Sequence, residues 1–134
     1  MSNEDDELTG NDDDLVDDEY MRQRYPLEER PFSRAWRRAI GYKYDYRRFF
    51  ALDHMHSRSF RGRPPRVALI KKELDGMAAS DAVFLAALVS FYNGDTGGRL
   101  LRALGAQGLS DIVSNLDQGR REILADLMVN YTGW

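Results

Sequence analysis

The segment GYKYDYRRFF, residues 41–50, interleaves three tyrosines and two phenylalanines with one lysine and two arginines. Cations in such a stretch can hold phosphate oxygens, and rings among them can stack on unpaired bases. A second basic stretch, DHMHSRSFRGRPPR at residues 53–66, adds Arg58, Arg61, Arg63 and Arg66, and Lys71 and Lys72 follow it. Lysine and arginine that neutralise phosphates release counterions, which gives affinity without sequence-specific contacts. The candidate nucleic-acid-binding set is Arg34, Arg37, Arg38, Tyr44, Arg48, Arg58, Arg61, Arg63, Arg66, Lys71 and Lys72. A competing reading gives the rings to a core and leaves the arginines solvated or paired with carboxylates. Helical spacing divides the two readings. Trp36, Ala39, Ile40, Tyr46 and Phe50 fall on one side of a helix, and Arg34, Arg37, Arg38 and Arg48 on the other. Tyr42 and Tyr44 leave the apolar stripe and are the stacking candidates.

Other reactive patterns are weaker. DHMH brings Asp53, His54 and His56 within four residues, and such groups ligate zinc or iron. With only two histidines and no cysteine, further ligands would have to be carboxylates, so a solvent-facing loop is the expectation and no metal is assigned. NGDTGGR, residues 93–99, lacks the spacing and the lysine of a Walker loop and is expected to be a helix stop followed by a helix start. No serine or threonine has the context of a nucleophile elbow, and Asp111 and Asp117 look like helix-surface carboxylates. The chain is therefore expected to be non-enzymatic and without a cofactor.

The net charge of −3 conceals three blocks: −10 over residues 1–19, +11 over 20–72 and −4 over 73–134. The first block is dense in like charge and poor in apolar residues, so residues 1–20 are expected to be a disordered acidic tail. Its charge nearly matches that of the basic block, which raises the idea of an internal competitor for phosphate. The remaining residues, 21–134, suffice for one domain. The longest apolar run, AVFLAALVSFY, is too short to span a bilayer, and the acidic N-terminus is not a secretory signal. A cytoplasmic protein with no membrane association is expected.

Elements that would position these residues read as helices. Ser33 is the expected N-cap of a helix over 34–50, with alternating Tyr42, Tyr44 and Tyr46 leaving a strand as the lesser alternative. Residues 53–66 read as a loop. A helix over 65–75 follows, with Pro65 in its first turn and Val67, Ile70, Leu74 and Met77 as its buried stripe. Ser80 would cap DAVFLAALVSFYN, apolar on nearly every side and so the central helix, with Gly94 as its stop. GDTGG would lead to a short helix GRLLRAL closed by Gly105, and Ser110 would cap DIVSNL. A last helix over 118–131 would carry Ile123, Leu124, Leu127, Met128 and Tyr131 at helical spacing, with Leu124 and Leu127 in the core and Gly133 past its end. The fold class is all-α, a compact bundle of five or six short helices with a disordered acidic N-terminal tail. The leading functional expectation is a nucleic-acid-binding or regulatory protein, for DNA or RNA, that uses residues 34–72. The alternative is a protein-interaction module, an adaptor or inhibitor whose arginines grip an acidic protein surface.

Overall fold

Pro31 opens the first helix, α1 (Pro31–Gly41), because its fixed φ suits a first helical turn and its missing N–H costs nothing there. The structure, a computed structural model, describes residues 26–53 and 58–134. The expected acidic tail and the two histidines lie outside the described residues. Ser33 is not the cap. It sits one turn inside α1, buried, where its hydroxyl donates to the Leu27 carbonyl at 2.7 Å and accepts from the Phe60 amide at 3.1 Å.

The expected helix over 34–50 breaks at Gly41, where a glycine weakens a helix by about 1 kcal/mol relative to alanine. Lys43 is extended, and residues Tyr44–Phe49 then wind as a 3-10 helix, so the strand alternative also fails. In a 3-10 helix side chains three apart eclipse one another. Tyr46 and Phe49 accordingly share the buried side, and Tyr44 and Arg47 share the solvent side. Phe50 is buried as its spacing predicts, and Trp36, Ala39 and Ile40 are buried on α1.

Pro65 pairs with Phe50 in an isolated antiparallel bridge rather than starting a helix. The next helix, α2 (Val67–Glu73), is followed by a 3-10 turn over Leu74–Gly76. Ile70 and Leu74 are buried, with Val67 and Met77 half-buried against the same core. Helix α3 (Ala79–Tyr92) is buried without interruption from Ala82 to Val89, as the central helix must be. Its cap is Ala78, with Ser80 in the first turn.

Gly94 does not stop α3 and lead into a linker. Asn93 alone separates α3 from α4 (Gly94–Ala103), and its side chain caps α4 by accepting from the Thr96 amide at 3.1 Å. GDTGG is thus the first half of a helix. Gly97 permits the two helices to touch, since a Cβ there would lie 2.3 Å from the Ser90 Cα. Gly105 ends the hairpin in a left-handed conformation, φ +78°, as expected of a helix-stopping glycine.

Helix α5 (Leu109–Ser114) is capped from Gly108, whose amide donates to the Asp111 carboxylate at 3.2 Å, so Ser110 is not its cap. Helix α6 (Gln118–Asn130) runs antiparallel to α1, with Phe32 against Tyr131, Arg38 on Asp126 and Tyr42 against Gly119. Its buried stripe is Arg120, Ile123 and Leu127, and Leu124 is half-buried. Met128 is 55% exposed, and Tyr131 lies past the helix end, exposed except for ring contacts to Phe32 and Phe91. Helical recurrence alone therefore does not place either of them in the core. The helix covers the bundle from one side, so the position after Leu127 turns outward. The described residues form an all-α fold of six α-helices, none long and apolar enough to cross a membrane.

Candidate nucleic-acid interface

Three contacts pin the basic loop onto α1. The Trp36 indole donates to the Arg63 carbonyl at 2.9 Å, Ser33 holds the Phe60 amide, and Arg37 donates to the Arg58 carbonyl. Arg34 donates to the Glu29 carbonyl at 2.6 Å, and Arg37 also to that of Glu28 at 2.8 Å. Carbonyl oxygens orient a guanidinium but do not neutralise it. Burial lowers the Arg37 pKa, and repulsion from Arg58 and Arg34 lowers it further against a smaller opposing pull from Glu28. It stays cationic at neutral pH. At the other end of the loop Arg63 donates to the Ala51 carbonyl at 3.0 Å, and its pKa is lowered by burial and by nearby Arg47. Residues 58–63 therefore bridge two groups of like charge, Arg34–Arg37–Arg58 and Arg63–Arg47.

Other members of the candidate set are placed differently. Arg38 pairs with Asp126 at 2.6 Å, and Arg48 grips Glu73 with both terminal nitrogens, at 2.8 and 2.6 Å. The hydrogen bond from Arg48 pulls the Glu73 carboxyl down and lifts Arg48 itself. Those two cations are neutralised within the fold. Arg61 reaches the Trp134 carbonyl at 3.0 Å, and Arg66, Lys71 and Lys72 are exposed at and along α2. Tyr44 is 82% exposed, with the Arg47 guanidinium over its ring at 5.2 Å from the centroid. Tyr42, the other stacking candidate, is half-buried, donates to Asp117 at 2.7 Å and carries the Arg120 guanidinium against its ring.

Sequence reasoning missed a second charged constellation. Arg120 is only 7% exposed and donates to Asp81 at 2.7 Å and to the Tyr46 hydroxyl at 3.0 Å. Tyr46 donates to Asp81 at 2.7 Å, and Lys43 reaches the same carboxylate at 3.0 and 3.2 Å. Arg120 also meets Asp117 at 3.2 Å and lies over the Tyr42 ring. Burial raises the Tyr46 hydroxyl pKa strongly, and its bond to Asp81 adds to the rise. Burial pushes the Asp81 carboxyl up, but hydrogen bonds from Tyr46, Lys43 and Arg120, with the Lys43 charge, outweigh it. Asp117 is likewise held low by Tyr42 and the Arg120 amide. Lys43, Tyr46 and Asp81 line a cleft of about 450 Å³ with Arg48 and Glu73. Asp81 accepts from three side chains at once, so it is a lock between α3, α6 and the 3-10 helix rather than a free base.

The lock has a pH signature. Carboxyls depressed in the fold contribute stability that is complete above their unfolded pKa, about 3.9, and that is lost as pH falls through the lower folded value. Urea midpoints should therefore be flat from about pH 7 to pH 5 and fall below about pH 4. Asp81→Asn should reduce the slope of that acid limb, and an unchanged limb would show that Asp81 does not carry it.

Among the described residues no group of three or more acidic or histidine side chains could hold a metal ion. No protein-family model, curated protein or solved structure matches the chain. The functional reading therefore rests on this geometry.

Proposed function

We propose that the protein is a non-enzymatic nucleic-acid-binding protein whose phosphate contacts come from the basic loop and the outer face of α1. The observation that carries this reading is the crowding of three arginines at one end of the loop: Arg34 and Arg37 donate to the carbonyl oxygens of Glu29, Glu28 and Arg58, and the Arg58 and Arg34 charges repel Arg37. Like charges held together repel, and phosphates, adding to the smaller pull of Glu28, relieve that repulsion while releasing counterions. Arg47 joins the candidate set through its proximity to Arg63. Arg38 and Arg48 leave it, because their charges are already matched by Asp126 and Glu73.

The ten acidic residues of positions 1–19 temper this binding in the same proposal. The described chain starts at Pro26, directly before the Leu27–Glu29 turn whose carbonyls hold Arg34 and Arg37. Chain connectivity joins the acidic segment to that turn, which sets a high effective concentration for its encounter with the arginines.

Fluorescence anisotropy with labelled oligonucleotides over a salt series tests both parts. Arg34→Glu with Arg58→Glu should keep the helical signal, since both side chains are exposed. Affinity should fall at least about tenfold at low salt, and the slope of log K against log salt should flatten by about 2. Arg38→Gln should change little. Removing residues 1–25 should tighten binding at low salt, with the gain shrinking as screening grows. Unchanged affinity in the double variant would refute the interface. Capture of one stoichiometric protein partner with no nucleic acid would favour the interaction-module reading.

A further inference from the structure

We infer that Tyr44 and Arg47 form a stacking site for an unpaired base, which makes single-stranded nucleic acid the preferred ligand; this rests on the reading under Proposed function. The 3-10 helix Tyr44–Phe49 sorts its side chains by threes. Tyr46 and Phe49 are driven into the core, so the backbone of the turn is fixed from below. Tyr44 and Arg47, in the complementary register, stand together in solvent, ring and guanidinium 5.2 Å apart. The Tyr44 ring is 82% exposed although three neighbouring rings, Tyr46, Phe49 and Phe50, are at most 5% exposed.

A ring so displayed offers a π-face to any base, and the guanidinium beside it supplies cation–π support or a phosphate contact. The turn that carries the pair is joined to the end of the basic loop by the Phe50–Pro65 bridge and by the Ala51 amide, which donates to the Pro64 carbonyl at 2.9 Å. A strand whose backbone follows the loop from Arg58 to Arg63 would bring a base to Tyr44. Duplex bases are stacked within their helix and cannot use the ring, whereas their phosphates can still use the arginines.

The test compares the full chain with Tyr44→Ala and Tyr44→Trp, using a labelled oligothymidine and a hairpin duplex closed by a base-free ethylene glycol linker, of equal phosphate count, at fixed salt. Tyr44→Ala should weaken oligothymidine binding about ten- to a hundredfold and leave the hairpin within about twofold. Tyr44→Trp should restore single-strand affinity. Thermal melts of all three proteins should coincide, since the side chain is outside the core. Equal losses for both ligands, no loss for either, or wild-type binding to the hairpin alone would overturn the stacking site while leaving the basic interface standing. Absence of wild-type binding to both ligands would overturn the interface and the stacking site together.

Discussion

Exchanging Arg120 for methionine should destabilise the protein by about 3–5 kcal/mol, the range seen when one partner of a buried ion pair is removed. Methionine fills most of the space left among Tyr42, Tyr46 and Phe84, so lost packing is the smaller part. The larger part is electrostatic. Asp81 would keep Lys43 and Tyr46 but lose its buried cationic donor. Tyr46 would lose the donor to its oxygen, leaving one end of a buried hydroxyl unsatisfied. Urea melts at pH 7 measure the cost. Adding Asp81→Asn to the variant should recover part of it, because the stranded charge is then removed. Purely additive losses in the double variant would mean that Arg120 and Asp81 do not act as a unit.

Leu88→Ala should cost about 2–5 kcal/mol through the cavity it leaves in the middle of α3. Leu88 is fully buried, in a helix buried on every side, so no solvent-facing surface can collapse into the gap. The upper half of the range is expected for that reason. The same truncation at Met128, on the outer side of α6, should stay within about 0.5 kcal/mol. A thermal melt unmoved by Leu88→Ala would show that α3 is not the centre of the fold.

The sequence is most legible where one local force dominates. The unbroken apolar run of α3 can only be a buried helix, and Gly105 and Gly133 mark stops whose positive φ values favour glycine. Caps are less legible. Ser33, Ser80 and Ser110 each suggest a helix start, yet the helices begin from Arg30, Ala78 and Gly108. A capping hydroxyl is worth about 1 kcal/mol, which an added helical turn or a better tertiary contact easily offsets. Ser33 shows the exchange directly, its hydroxyl joining the Leu27 turn to the Phe60 loop.

The candidate interface was legible as composition but not as pairing. Nothing near Arg38 or Arg48 in the chain announces Asp126 or Glu73, and the charge of either arginine reads the same whether matched or not. Arg120 was hidden for the converse reason. A charged side chain is assigned to solvent by default, yet it occupies the stripe of Ile123 and Leu127. Its partners Asp81 and Tyr46 lie 39 and 74 residues away. The one local clue was the spacing itself, three before Ile123 and seven before Leu127.

The single-residue joint at Asn93 carries a consequence for the order of assembly. Helices α3 and α4 meet through Ser90 and Gly97, so bringing them together closes a very short loop and costs little chain entropy. Helices α1 and α6 must instead find each other across most of the chain, as the 88-residue separation of Arg38 and Asp126 measures. Contacts of short sequence separation form fast, and those of long separation form late. The α3–α4 hairpin is thus the expected nucleus, with α6 expected to dock late and carry Arg120 to Asp81 and Tyr46. Substitutions at the Gly97 crossing should slow folding, whereas those in the charged lock should mainly speed unfolding. The hairpin decides how quickly the native state is reached, and the arginine of the last helix decides how long it persists.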